Sequence, residues 1–307
     1  MLYQASTPED PQGFQNPAGL GTWRRFGIRP MLRERVSEDI YIFTSEIYAQ
    51  VTAGAVVSPD GAVLIDTLAF PAETREIKDF LESRLGARVR YVINTHYHAD
   101  HTNGNCFFPR AEVVGHALCR EKMDTVGRRG LARAREQSPE LAAVEIVLPE
   151  TLLTKGQIVF HMGRKTLQLF HAPGHSPDSL CVLLKEDRIL FAGDMMMPLP
   201  YIVDGDLEDM IHSLQAIPAM GLENVVQGHG EVVLRGEIDE AVRSNVRYLE
   251  AARRKVEHVV KKKKPRDAVR EINIESCGKS RIPLNGLVAQ LHTANLLALY
   301  DRLADSR

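Results

Sequence analysis

Cysteine is scarce in this 307-residue chain: four residues, Cys106, Cys119, Cys181 and Cys277, with no Cys-x-x-Cys pair among them. That argues against a disulfide scaffold or a thiolate metal site, and buried free thiols are the expectation. Long apolar runs are missing too. None approaches the ~18 to 20 residues that a membrane-crossing helix needs, and Met1 to Gly21 is polar, with proline and glycine scattered through it. The expectation is a cytoplasmic protein without a signal peptide. Charge of one sign is also absent: 38 basic against 40 acidic residues give a formal net charge of −2, so no overall field points to nucleic acid or a membrane surface. What remains, 44% hydrophobic and 25% charged residues, suits a globular enzyme and excludes the disordered and fibrous classes.

Regular elements can be placed by periodicity. Pro8, Pro11, Pro17 and Pro30 break up the first 35 residues, which read as an extended arm docked by Trp23, Phe26 and Met31. Ile40 to Phe43, Gln50 to Val57 and Ala62 to Ile65 are short β-branched runs joined by turn residues, an antiparallel meander. Pro71 to Leu85 is an amphipathic helix, and Val89 to Ile93 is a buried strand. Further on, Arg128 to Glu150 reads as a partly helical insertion. Strands follow at Gln157 to His161, Thr166 to Phe170, Leu180 to Leu184 and Ile189 to Ala192. Helices are expected over Leu207 to Ile217, Ile238 to Lys263 and Leu284 to Leu303. The basic run Lys261 to Lys264 complements a helix C-terminus.

Directly after Val89 to Ile93 comes Thr95-His-Tyr-His-Ala-Asp-His-Thr-Asn-Gly104. Three histidines and an aspartate occupy six positions of a chain that has 11 histidines in all. These are zinc- and iron-ligating side chains, and residues two apart on an extended segment point the same way, so His96 and His98 can grip one ion. Asp100 and His101, past the turn, face a second position. Three more strand ends carry a ligand type beside glycine: Gly174-His175 after Phe170, Gly193-Asp194 after Ala192, and Gly228-His229 after Val226. Glycine there allows the backbone close to a metal cluster.

This order of motifs resembles the metallo-β-lactamase superfamily over roughly residues 36 to 235. The resemblance implies an α+β fold, a four-layer αββα sandwich, preceded by the arm at 1–35 and followed by a helical extension at 236–307. It also implies two Zn2+ ions, with His96, His98 and His175 on the first, Asp100, His101 and His229 on the second, and Asp194 bridging. Iron or a mixed iron and zinc pair is the alternative loading. An aspartate at the bridging position looks like the glyoxalase II, lactonase and ribonuclease Z branches.

Two such ions ~3.5 to 4 Å apart can share a water, lower its pKa toward ~7 and aim the hydroxide at a carbonyl or phosphorus. Asp100 is the candidate proton relay, and Thr95, Thr102 and Asn103 are candidate hydrogen-bonders to the ligands. Met195 to Ile202 is an apolar segment expected to wall a pocket, and Tyr201 within it could offer its phenol to a carbonyl oxygen. The expected activity is hydrolysis of a carboxylic ester, thioester, lactone or β-lactam-like bond in an uncharged acyl compound. The alternatives are a mononuclear iron persulfide dioxygenase and a ribonuclease Z-like phosphodiesterase, for which Lys261 to Lys264 would be the cue. The C-terminal helices also leave room for a homodimer.

Overall fold

The structure is a computed structural model, and it describes residues 31–305. Trp23 and Phe26, and with them most of the expected arm, lie outside the described residues.

Strand structure begins earlier than the periodicity suggests. β1 (Met31–Ser37) pairs antiparallel with β2 (Ile40–Ser45), so Met31 to Arg35 are the edge of a sheet and not the end of an arm. The reason lies in what covers the strand. Only Met31 is buried, and Arg33 lays its guanidinium over the Phe80 ring, 4.0 Å from the centroid, so a cation fills a place where an apolar side chain would have marked the strand. β3 (Thr52–Ser58) and β4 (Gly61–Ile65) complete the expected meander. Then α1 (Pro71–Lys78), continued to Arg84 by a wider π-type turn, carries the chain back to β5 (Val89–Ile93), which lies parallel to β4.

After β5 come α2 (Ala99–Thr102), β6 (Glu112–His116), α3 (Ala117–Lys122), α4 (Arg128–Gln137) and β7 (Thr151–Leu153). The first sheet thus runs in sequence order from β1 to β7. The second contains β8 (Gln157–Met162), β9 (Lys165–His171), β10 (Leu180–Leu184), β11 (Ile189–Gly193), β12 (Asn224–Gln227) and β13 (Val233–Leu234), side by side from β8 to β13. Its one parallel pair, β11 and β12, is joined through α5 (Leu207–Ala216). The long helices α6 (Ile238–Lys261) and α7 (Val288–Asp305) follow.

Three apolar clusters make four layers of this. Ile42, Val63 and Ile93 of the first sheet meet Leu167, Val182 and Phe191 of the second between the sheets. On the outer face of the first sheet, Leu64 and Val92 pack on Ile77 and Leu81 of the α1 layer. On the outer face of the second, Leu190 and Val225 pack with Met210, Leu249 and Leu296 from α5, α6 and α7. The expected αββα order is therefore present. β4 and β11 are buried throughout, which is why they read as continuous apolar runs and not as alternating ones. Truncating a side chain such as Leu167 in the central layer should cost about 2 to 5 kcal/mol.

The four cysteines are free; Cys119, Cys181 and Cys277 are buried as expected, while Cys106 is half-buried. Among the described residues no helix is long and apolar enough to cross a membrane. Lys261, first of the basic run, pairs with Glu257 one turn earlier on α6.

Candidate metal centre

β4, β5, β11 and β12 end side by side at one edge of the sandwich. β5 ends at Ile93, the chain bends through Thr95, His96 and Tyr97, and His98, extended at φ −61° and ψ 147°, is the N-cap of α2, whose turn then holds Asp100 and His101. The two faces inferred from the spacing are thus built by one strand end and one turn of helix.

All seven candidate ligands come together. His98 Nδ1 lies 3.0 Å from His96 Nε2 and 2.9 Å from His175 Nε2. With Asp194 they form one group whose ligand atoms all lie within 4.8 Å of one another, and Asp100, His101 and His229 form a second. Asp194 touches both. Its Oδ2 is 3.4 Å from His175 Nε2 and 3.4 Å from His229 Nε2, while Oδ1 is 3.2 Å from His101 Nε2. The glycines are needed for this approach. A Cβ on Gly228 would sit 1.7 Å from Asp194 Oδ1, and one on Gly193, which has φ +53°, would sit 2.6 Å from Thr95 Oγ1.

Four of the five histidines of the cluster, all but His98, have a hydrogen-bond partner for the other nitrogen, which fixes the ring and selects the tautomer. His101 Nδ1 is 2.8 Å from Asp66 Oδ2, His175 Nδ1 donates to the Tyr201 carbonyl at 2.8 Å, and His229 Nδ1 donates to the Ala49 carbonyl at 2.9 Å. His96 Nδ1 lies 3.1 Å from Thr95 Oγ1. His98 Nε2 faces Asp204, 3.9 Å away, whose carboxylate accepts from Tyr97 Oη at 2.6 Å and pairs with Lys122 at 3.3 Å.

The electrostatics of the two groups differ. Burial holds His96, His98 and His175 below their usual range, with His98 down to about 3, so they are neutral lone-pair donors. Burial opposes ionisation of Asp100 as well, but His101 and His229 outweigh it and bring that carboxyl to about 2. Asp194 is likewise held low by the four histidines around it, against its burial. Against their burial, Asp194 and Asp100 in turn hold His101 above its usual range and His229 at about 10, so the second group favours positive charge. The 3.2 Å gap between His101 Nε2 and Asp194 Oδ1, neither of which makes a hydrogen bond, is one that a shared cation would satisfy. The donor set fits the expected metals.

Several expectations need correction. Met195, Met196, Met197, Leu199 and Ile202 are buried in the apolar cluster beneath α5, α6 and α7, so this segment is core and does not wall a pocket. Tyr201 is 8% exposed, with its ring centroid 5.9 Å from that of His175. Thr95 does support a ligand, but Thr102 Oγ1 bonds the His98 carbonyl and Asn103 donates to the Ala69 carbonyl, so both brace backbone. The insertion after α3 buries Leu131, Leu141 and Val144 against Ala69 and Phe70.

Two site residues escaped the sequence reading. Asp66, at the end of β4, accepts from the Thr95 N–H at 2.8 Å and the Thr95 hydroxyl at 2.7 Å while facing His101. Its signal is an acidic residue closing a buried strand next to the ligand strand. Tyr48, in the β2–β3 loop, packs edge-on against Phe70. Burial first, then Asp100, Tyr201 and Asp194 nearby, hold its phenol well above the usual range, so it stays neutral beside the cluster.

Comparison with known proteins identifies the family. The profile of the Metallo-beta-lactamase superfamily matches residues 48–255. Lactamase-like protein aptB of Emericella nidulans is 28% identical over 189 residues, 61% of this chain and 53% of that protein. Atrochrysone carboxyl ACP thioesterase of Aspergillus fumigatus is 29% identical over 171 residues, 56% of this chain and 48% of that one. The chain thus spans about half the length of these curated relatives. Among solved structures, a metallo-beta-lactamase family protein from Thermus thermophilus superposes with a TM-score of 0.67 at 16% identity, over 89% of this chain and 95% of that one. DIM-1 metallo-beta-lactamase gives 0.57 at 18% identity, over 70% and 96%. With the matched profile covering residues 48–255 and all the strand-end motifs inside it, the chain belongs to the metallo-β-lactamase superfamily.

Proposed function

We propose that the protein is a binuclear zinc-dependent hydrolase of acyl compounds, cleaving a carboxylic ester, thioester, lactone or β-lactam-like bond. The observation that carries this is the Asp194 carboxylate, which reaches both ligand groups at once. Imidazole and carboxylate donors without thiolate suit zinc, with iron as the competing occupant. When bound, such a pair supplies a water of lowered pKa and a Lewis acid for the carbonyl oxygen.

The chain's own residues do the rest. Asp100, with Oδ2 3.3 Å from His229 Nε2, is placed to take a proton at that carboxylate and pass it to the leaving group. Tyr201, its ring centroid 5.9 Å from that of His175, and Tyr48, whose phenol burial keeps neutral, are the residues we assign to face charge developing on the carbonyl oxygen. No acidic or basic side chain has to act as nucleophile. A thioester substrate has support from the similarity to atrochrysone carboxyl ACP thioesterase.

The test joins elemental analysis of the purified protein to hydrolysis of aryl esters, lactones, thioesters and bis(nitrophenyl) phosphate. The expected result is about two zinc ions per chain, with acyl turnover that Asp194→Ala abolishes. About one iron per chain and no hydrolysis would overturn it and favour oxygen chemistry on persulfides.

A further inference from the structure

We propose that the C-terminal helices support the first half-site: Asn295 of α7 clamps the segment 200–203 and, through the Tyr201 carbonyl, sets the ring of His175. The inference rests on the two-metal reading above.

Between β11 and α5 the chain runs through the apolar layer without a strand partner, so its peptide groups depend on scattered backbone bonds, such as Gly228 N–H to the Met196 carbonyl, and on side chains. Asn295, fully buried, meets that need. It donates from Nδ2 to the Pro200 carbonyl at 2.7 Å and accepts at Oδ1 from the Ile202 N–H at 2.9 Å, a donor and an acceptor on one planar group matched to peptides two residues apart. Its orientation is set in turn. Nδ2 also donates to Tyr248 Oη at 3.2 Å, and Tyr248 Oη lies 3.0 Å from His292 Nδ1, whose Nε2 donates to the Ile272 carbonyl at 3.0 Å. Arg302, further along α7, adds Nη2 to the carbonyls of Ile202 and Val203, at 2.9 Å each.

What the clamp holds is the support of a candidate ligand: the peptide carbonyl between the clamped groups, that of Tyr201, accepts from His175 Nδ1, while Asp204, 3.9 Å from His98 Nε2, makes no hydrogen bond to it. The second half-site has no such dependence. His101 is backed by Asp66 from β4 and His229 by Ala49 from the β2–β3 loop, both in the first half of the chain. A change at Asn295 should therefore reach one half-site and spare the other.

The experiment uses the full chain. Metal-free wild type is titrated with zinc against a chromophoric chelator, then Asn295→Ala is introduced into wild type, into His98→Ala and into His229→Ala. In the His229→Ala background, where the first half-site remains, zinc binding should weaken about 10- to 100-fold. In the His98→Ala background it should not change, and the visible spectrum of cobalt bound there should stay the same. Equal weakening in both backgrounds would make Asn295 a fold residue and overturn the proposal, as would no change in either. Should Asn295→Ala fail to fold, Arg302→Ala in the same backgrounds gives the same reading, with Arg302→Lys expected to restore most of the loss. A wild type that takes up no pair of zinc ions would sink the two-metal reading itself, a separate outcome.

Discussion

Asp66 Oδ2 lies 2.8 Å from His101 Nδ1 although the two residues are 35 positions apart. The same carboxylate takes the Thr95 N–H and hydroxyl, so it ties the end of β4 to the ligand loop at three points. Asp66→Asn keeps the shape and removes the charge that polarises His101. Zinc affinity at the second half-site should fall about 10- to 100-fold, with the first half-site little changed. Equal affinities in wild type and variant, measured by chelator competition, would remove Asp66 from the metal centre.

Zinc should also stabilise the fold, because the ligands are already gathered in it and are scattered in the unfolded chain. At a free concentration 100 times the dissociation constant the gain is about 2.7 kcal/mol for one site, which thermal unfolding with and without chelator would show. A midpoint that does not move with zinc would contradict the ligand assignment.

Gly228→Ala should disable the centre from within. The added methyl carbon would lie 1.7 Å from Asp194 Oδ1 and 2.4 Å from the Gly193 carbonyl carbon, so the carboxylate cannot stay. We expect loss of one zinc per chain and a fall in turnover of at least about 100-fold. Gly221→Ala is the control. Its φ of +62° is the only conflict, with nothing within 4 Å, so it should cost about 1 kcal/mol of stability and leave turnover intact.

The two phenols can be separated from the metal ligands by what they leave unchanged. Tyr201→Phe and Tyr48→Phe should each lower kcat about 10- to 100-fold on an ester substrate without changing zinc content. Unaltered kcat in both variants would take the phenols out of the chemistry.

Glu73 predicts a pH dependence remote from the metal centre. It is fully buried on α1, and burial pushes its carboxyl up to about 8, against a smaller downward pull from the Ser45 hydroxyl. The folded chain therefore keeps a proton that the unfolded chain releases near its ordinary value of 4.5. Stability should fall as pH rises between those two values, by at most about 1.4 kcal/mol per unit, and level off above the higher one. Glu73→Gln should flatten this slope in urea titrations between pH 5 and 8, by about the same amount per unit. A slope identical in the two proteins would mean that Glu73 ionises freely.

The candidate-ligand inventory and most of the layers follow from the order of residues alone. His96 to His101 are legible because their geometry is local: a strand end and one helical turn set where they point. β4 and β11 are legible because burial on both faces leaves an unbroken apolar run. The remainder came from packing between distant segments. β1 hides behind Arg33, whose cation covers Phe80 where an apolar residue was expected. Met195 to Ile202 has the same composition whether it walls a pocket or fills a core, and the packing of α6 and α7 over it settles which. Asp66 and Asn295 are single polar residues whose side-chain partners lie at least 29 and 47 positions away, beyond any spacing rule. Periodicity reports which face of an element is buried. Which backbone group or imidazole a lone buried carboxylate or amide will meet depends on how the sheets stack, and that is a property of the folded chain.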